Sequence, residues 1–367
     1  MRARTLIAAM AMAAAAALSA AAAEEKILNI TNWAEYVGEK TVANFEAETG
    51  IKVRYDNFDS NEVLMAKMIA GRTGYDIIIP SSDFGRIMVD GGLVQKVDRS
   101  KLSRWSNLDP AVLLLMGKLD PGNQYMVPWL GSTVSVGYNP VMVKAALGGE
   151  PIPADPFELV FNPKYTSKLK KCGISLLDSA ADLFPSALIY LGRPAFGNNA
   201  TDYQDAFAML QKVRGDIALF SYNGYIADLA AGNLCVALGY GGDFNNANAK
   251  AKAAGKDTRI EAPLPPRGTQ FGFESMMIPV DAPHPENAHA WINYILRPEV
   301  QAEITNKVKF TSPNLAARKF IAADVLANKI AFPGDDYLST KAQFYEVRKN
   351  DTRRLMTRLF TKFKTGT

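Results

Sequence analysis

Histidine is almost absent from this sequence of 367 residues, which contains two. His284 and His289 lie near a proline-rich turn and the start of a predicted helix. A zinc site built from histidines and a Ser-His-Asp triad each need ligands or a base that these two positions do not supply. The scarcity argues against most secreted hydrolases, and we predict neither a metal nor a cofactor.

Long hydrophobic runs are absent beyond the N-terminus, so no later segment is long enough to cross a membrane. The first residues read MRARTLIAAMAMAAAAALSAAAAEE, with two arginines, an alanine-rich apolar stretch and small residues before Glu24. This pattern is typical of a cleaved secretory signal, which we predict over residues 1–23. The alternative is an N-terminal anchor helix, for which the stretch is short.

Neither sign of charge is in large excess. Removal of Arg2 and Arg4 with the signal lowers the formal charge from +4 to +2, which does not favour a nucleic-acid or anionic-membrane partner. Cysteine is as scarce as histidine, but export to an oxidising compartment favours a disulfide between Cys172 and Cys235. Two buried free thiols are the alternative.

The rest of the chain alternates between predicted strands and helices. The strand ILNI, a helix over 39–49, the strand KVRYD, a helix over 61–70 and the strand DIIIP form a β-α-β-α-β pattern. A second alternating region follows Pro128, with KKCGISLLD and NLCVALGY as strands, and HAWINYILRPEVQAEIT is predicted as a helix. Length and composition leave room for two cores.

We therefore predict an α/β protein of two lobes joined by extended crossovers. The first lobe is predicted over 24–136 plus 264–326, and the second over 137–263 plus 327–367. Parallel strands covered by helices place ligand groups where strands end and helices begin. A cleft between two such lobes can close around a small ligand.

Carboxylates occur at four predicted strand ends, and most have aromatic neighbours: Glu35 in NWAEY, Asp182 in LLDSAADLF, Asp243 in LGYGGDF and Glu274 in FGFES. Acids and ring faces together favour a cationic ligand, because carboxylates pair with ammonium groups and rings attract them. Each residue alone also fits a structural role, since acids cap helices and aromatics fill cores. Only their joint arrangement favours a binding site.

Nine segments in order resemble the periplasmic polyamine-binding proteins of ABC transporters, the putrescine and spermidine receptors, over nearly all of the mature chain: NWAEYV, ETGIKV, FDSNEVL, YDIIIPSSDF, SNLDP, GYNP, LGYGGD, NYILRPEV and PNLAARK. The resemblance implies a two-lobe periplasmic binding protein fold of type II, with a hinge between the lobes and no enzymatic activity. It also implies capture of a polyamine and its delivery to a membrane ABC permease, and we expect the protein to be a monomer.

The resemblance assigns ligand contacts to Trp33, Glu35, Tyr36, Ser81, Asp182, Tyr240, Asp243, Glu274 and Phe310. It also assigns Phe84 as a wall of the site. Cys172 and Cys235 coincide with a cysteine pair of some members. Tyr240 replaces the usual Trp, and Glu35, Glu274 and Asp182 differ in length from the acids of putrescine-type members.

Gly272 departs furthest from the resemblance, because it occupies the position of an aromatic residue. In a strand, 270, 272 and 274 share a face, so glycine here removes one wall of the slot. Tyr222, or the longer side chain of Glu274, could refill the space. We expect a ligand longer or bulkier than putrescine, or weak binding of putrescine.

Other functions stay open at this point. A receptor for an amino acid or another cationic metabolite would share the fold, but a ligand carboxylate needs a base such as Arg86, Arg267 or Lys309 turned into the cleft. A secreted hydrolase with two carboxylates needs an acid and a base placed around a scissile bond. A sensor for a signalling partner is not distinguished from a transport receptor by sequence.

Overall fold

The structure, a computed structural model, describes residues 24–366. The predicted signal peptide lies outside these residues. The strands are β1 Ile27–Trp33, β2 Lys52–Phe58, β3 Ile77–Ile78, β4 Val94–Gln95, β5 Val127–Tyr138, β6 Ile174–Leu177, β7 Leu219–Ser221, β8 Val236–Tyr240, β9 Thr269–Met276, β10 Ile278–Pro279 and β11 Ala342–Phe344.

The helices occupy most of the segments between these strands. They are α1 Thr41–Thr49, α2 Asn61–Ala70, α3 Ser82–Asp90, α4 Pro110–Met116, α5 Pro140–Leu147, α6 Glu158–Phe161, α7 Pro163–Leu169, α8 Ala180–Tyr190, α9 Ala200–Val213, α10 Gly224–Ala231, α11 Gly241–Ala253, α12 Pro285–Ile295, α13 Pro298–Val308, α14 Ala323–Leu326, α15 Asp335–Thr340 and α16 Asn350–Thr365. Short 3₁₀ turns lie at Arg99–Lys101, Trp105–Asn107, Arg214–Asp216 and Leu315–Phe320. In the part of the chain described, no helix is long and apolar enough to span a bilayer.

The first lobe contains a parallel sheet in the order β2-β1-β3, beside the antiparallel pair β10-β4. One hydrophobic core lies here and includes Ile30, Trp129 and Trp291, so residues from distant parts of the sequence complete it. The second sheet has the order β11-β9-β5-β8-β6-β7 and contains both parallel and antiparallel pairs.

Strands β5 and β9 connect the two lobes. β5 is buried along its whole length, and it pairs with β9 through its first half and with β8 through its second half. Its register shifts between Pro128 and Gly131. The predicted β-α-β-α-β succession through β1, β2 and β3 is present with parallel pairing, as are the alternating second region and the two-lobe fold predicted from the sequence.

The predicted helix HAWINYILRPEVQAEIT is wrong in one respect, because it is two helices. α12 ends at Ile295 and α13 begins at Pro298. Proline lacks the N–H that a continuous helix needs, but it fits the first position of a new one.

The predicted disulfide between Cys172 and Cys235 is confirmed, with Cα atoms 5.4 Å apart. It joins the residues just before β6 and β8. Cys235 N also donates a 3.0 Å hydrogen bond to Cys172 O, so the bridge holds two neighbouring strands together at their starts.

Candidate functional site

A cavity of about 300 Å³ lies between the two lobes, where strands of both sheets end. It contains eight residues that the sequence predicted as ligand contacts: Trp33, Glu35, Tyr36, Ser81, Tyr222, Tyr240, Asp243 and Glu274. The fold therefore brings residues from five separate segments of the chain to one place.

The end of β1 and the loop after it supply two aromatic rings of the wall. Trp33 packs on Phe58 with ring centroids 4.5 Å apart, and Tyr36 packs on Phe310 at 4.7 Å. Asn57 Nδ2 donates to the carbonyls of Asn32 and Trp33 at 3.2 and 3.1 Å. This side chain therefore ties the end of β1 to the neighbouring strand and fixes where the loop begins.

Glu35 lines the cavity, but its carboxylate already has a partner. Lys250 Nζ on α11 donates to Glu35 Oε1 at 3.0 Å, and both residues line the cavity. Glu35 has a φ of 62°, a left-handed conformation that is uncommon for a residue with a side chain. An exposed pair of this kind contributes about 0–1 kcal/mol, so it joins the lobes weakly.

Asp243 lies in the first turn of α11 and is almost fully buried. Tyr225 Oη donates to its Oδ2 at 2.5 Å and accepts from Tyr240 N at 3.0 Å. A helix N-terminus stabilises a carboxylate, yet burial raises the pKa of Asp243 to about 7, and nearby Glu35 adds to the increase. Loss of hydration therefore outweighs the effect of the helix on Asp243.

Glu274 lies on β9 and is equally buried, with Ser81 bridged to it across the strand edge. Its Oε2 has no hydrogen-bond partner. Burial raises the pKa of Glu274 to about 8, and the carboxylates of Asp182, Asp83 and Asp243 raise it further. A buried carboxyl group with a free oxygen is suited to an ammonium ligand, whose positive charge would restore the ionised form.

Asp182 does not line the cavity, although the sequence predicted it as a contact. Tyr240 Oη donates to its Oδ2 at 2.9 Å, and Gln270 Nε2 donates to its backbone oxygen at 2.8 Å. Burial raises the pKa of Asp182. It therefore lies behind Tyr240 and orients that ring.

Phe310 also lies behind the wall, as a core residue 1% exposed. Its ring packs beneath Tyr36 and against Gly242, where an added Cβ would lie 2.3 Å from the ring. Glycine is required at this position because the start of α11 approaches the ring so closely.

The expectation that Gly272 leaves a missing wall is wrong. A Cβ on Gly272 would lie 2.0 Å from Cδ2 of Tyr345, so the ring of Tyr345 already fills this space. Tyr345 follows β11 and donates from its backbone N to Phe271 O at 3.0 Å. Neither Tyr222 nor Glu274 is needed to refill the slot.

Several lining residues were not predicted from the sequence, namely Phe58, Asp59, Asn223, Ile226 and Lys250. Asp59 and Asn223 follow strands, which is a signal that could have identified them. Lys250 lies in the middle of a helix rather than after a strand, so its position in the sequence does not indicate a ligand site.

The bases considered for an amino-acid ligand do not line the cavity. Arg86 donates to Asp90 and to Leu119 O, and Arg267 Nε donates to Asp155 at 2.7 Å. Lys250 is the basic residue that lines the cavity, and Glu35 compensates its charge. Among residues 24–366, no group of His, Cys, Asp or Glu side chains is arranged to hold a metal ion.

Phe84 lies in a different cavity, so it is not a wall of the first one. This second cavity, of about 620 Å³, lies between α2, α3 and α16, and we call it the arginine groove. Its charged lining consists of Glu62, Asp83, Arg348, Arg353, Arg354 and Arg358. Burial raises the pKa of Asp83 to about 6, while Arg348 opposes the increase.

Comparisons with known proteins agree with this geometry. A family model described as bacterial extracellular solute-binding protein matches residues 40–333. The chain is 39% identical over 363 residues to the putrescine-binding periplasmic protein SpuD of Pseudomonas aeruginosa (strain UCBPP-PA14), covering 99% of this chain and 98% of SpuD. It is 41% identical over 347 residues to the putrescine-binding periplasmic protein PotF of Escherichia coli (strain K12), covering 94% and 93%.

A solved structure shows the same fold. The putative spermidine/putrescine ABC transporter protein from Listeria monocytogenes matches with a TM-score of 0.83 and 27% identity, covering 94% of this chain and 100% of that one.

Proposed function

Because the chain belongs to the family of bacterial extracellular solute-binding proteins, we propose that it captures a polyamine in the cavity between its lobes. It delivers this ligand to an ABC permease, and it acts in the periplasm, as a monomer. The names of SpuD and PotF support putrescine as the ligand. Its role is binding and transport rather than catalysis.

The observation that carries the proposal is the pair of buried carboxyl groups. Asp243 and Glu274 are each 5% exposed and line one cavity with aromatic rings. Burial raises both pKa values, to about 7 and about 8. An ammonium group between them would compensate the buried charge, and the rings would cover the methylene chain.

Putrescine rather than a longer amine is supported by the filled space at Gly272. The sequence favoured a longer ligand because glycine was expected to open the slot. With the ring of Tyr345 in that position, this reason no longer applies.

The lobe boundaries, 24–136 plus 264–326 and 137–263 plus 327–367, belong to the same proposal. The core that joins Ile30, Trp129 and Trp291 supports the assignment of the first lobe. Strands β6, β7 and β8 follow one another in the chain and lie side by side in one sheet, which supports the assignment of the second lobe.

Replacement of Asp243 by Asn tests the function. The change removes a buried charge with little change in volume, so putrescine binding should weaken by roughly 2 to 5 kcal/mol, which is about 30-fold to several thousand-fold. Isothermal titration calorimetry measures it, with Asp257→Asn on the exposed surface as the matched control. Unchanged affinity in Asp243→Asn would remove Asp243 from the site, and no heat with any polyamine in the wild type would refute the function.

A further inference from the structure

The arginine groove contains four guanidinium groups that have no carboxylate partner. Arg348, Arg353, Arg354 and Arg358 all line it. In the described part of the chain, the arginines that form ion pairs are Arg86, Arg193, Arg259, Arg267 and Arg297. The four arginines of the groove therefore form no direct ion pair, although Arg348 lies close enough to Asp83 to oppose the increase in its pKa.

Two of these arginines present buried N–H donors without an acceptor. Arg348 is 4% exposed, and its Nε has no hydrogen-bond partner. Its Nη2 donates to Ala181 O at 3.4 Å, and its guanidinium lies 4.8 Å from the ring centroid of Phe196. The Nε of Arg353 is likewise buried and unpaired. Buried donors in folded proteins nearly always have a partner, so these two N–H groups are suited to donate to a ligand in the groove.

The charge balance of the groove is positive. Glu62 and Asp83 face the arginines from α2 and α3, so the lining carries four positive charges against two negative ones. Helix α16 begins at Asn350, which also lines the groove, and a helix N-terminus adds partial positive charge. The groove therefore attracts anions, in contrast to the acidic cavity that we assign to the amine.

We propose that the arginine groove binds a small organic oxyanion. Guanidinium groups hold carboxylate and phosphate groups in the same bidentate manner, so both head groups fit. Phe84, Ile87 and Met356 supply an apolar wall for a short hydrocarbon body. Arg348 is too recessed for the surface of a folded partner, which favours a small molecule. This site is independent of the amine site and does not rest on the proposed function.

Titration with succinate and with inorganic phosphate tests the site. Calorimetry and the melting temperature are measured against sodium chloride at matched ionic strength. Succinate or phosphate should bind at one site and raise the melting temperature, because a ligand that binds the folded state stabilises it. The stronger of the two responses identifies the head group.

Two variants, one that removes a positive charge and one that removes a negative charge, should change the affinity for the anion in opposite directions. Arg353→Gln should weaken anion binding at least about tenfold because it removes a guanidinium whose Nε is free to donate, although its Nη2 donates to Asn350 Oδ1. Glu62→Gln should strengthen it about threefold because it removes a repulsive charge. Arg318→Gln, at an exposed arginine outside the groove, should leave the affinity unchanged.

The proposal is overturned if neither anion binds at millimolar concentration, if chloride has the same effect, or if Arg353→Gln binds as well as the wild type. Binding of a glutamate-rich peptide in place of both small anions would overturn it too and would indicate a protein partner. Putrescine is titrated into the same proteins. If putrescine does not bind while succinate does, the proposed function fails and the anion site stands.

Discussion

Asp243 and Glu274 are the two residues at which ligand charge and proton uptake compete. In the empty protein, burial raises their pKa values to about 7 and about 8, so both carboxyl groups are partly protonated near neutral pH. An ammonium ligand favours the ionised form and lowers both pKa values. Binding must therefore release protons.

This competition predicts a pH-dependent affinity. Between pH 6 and pH 8 the dissociation constant for putrescine should fall as the pH rises, by up to about tenfold per pH unit for each proton released. Calorimetry in buffers of different ionisation enthalpy counts the protons. Glu274→Gln should lower that count, whereas equal heats in all buffers together with a constant affinity would contradict the prediction.

At the same scale, the sequence predicted some site residues better than others. Asp243 and Tyr240 were found because they lie where strand β8 ends and α11 begins, which the local sequence pattern indicates. Tyr345 was missed because its contact with Gly272 joins strands from distant parts of the chain. Asp182 was assigned to the ligand, yet its position behind Tyr240 depends on a hydrogen bond that no local pattern encodes.

At the scale of elements, periodicity and turn residues predicted the start of the chain well. Helix α2 runs over Asn61–Ala70 as expected, because Ser60 caps it and Gly71 follows it. The pairing of β11 with β9 was not predicted, since a three-residue strand has too little pattern to recognise. The break before Pro298 could have been read from the proline itself.

The disulfide beside β6 and β8 should stabilise the second lobe without affecting the ligand. It closes a loop with a sequence separation of 63, which corresponds to about 4 kcal/mol in the chain-entropy account. The double variant Cys172→Ala, Cys235→Ala should lose about this free energy of unfolding in urea denaturation. Neither cysteine lines the cavity, so the affinity for putrescine should be unchanged; an equal unfolding midpoint for both proteins would count against this role.

At the scale of the whole molecule, buried carboxyl groups in the acidic cavity and in the arginine groove make the protein sensitive to alkaline conditions. Asp83, Asp243 and Glu274 have folded-state pKa values of about 6, 7 and 8, raised first by burial. The folded state therefore binds protons more tightly than the unfolded state does. The stability that these groups contribute is complete below pH 4 and is lost as the pH rises through 6 to 8.

We expect the melting temperature of the empty protein to be higher at pH 5 than at pH 8. The difference should correspond to a few kcal/mol, since one pKa unit is about 1.4 kcal/mol. Saturating putrescine should reduce this difference in melting temperature, because the ligand compensates the charges of Asp243 and Glu274 in the cavity. Differential scanning calorimetry measures both effects, with Glu274→Gln as the variant that should flatten the profile; a melting temperature that rises toward pH 8 in the empty protein would show that other groups dominate.

The path of the chain between the two cores also affects the order in which parts of the protein fold. Strands β6, β7 and β8 lie in one continuous stretch, whereas the core around Ile30 is incomplete until Trp291 joins it. A chain that emerges from its N-terminus presents every strand of that stretch before α12 and α13 exist. Segments with local contacts assemble faster than those that wait for distant ones. Strands β6, β7 and β8 are therefore free to pair before either core is complete, because the second lobe still waits for β11, and the cleft is the last feature of the molecule to form.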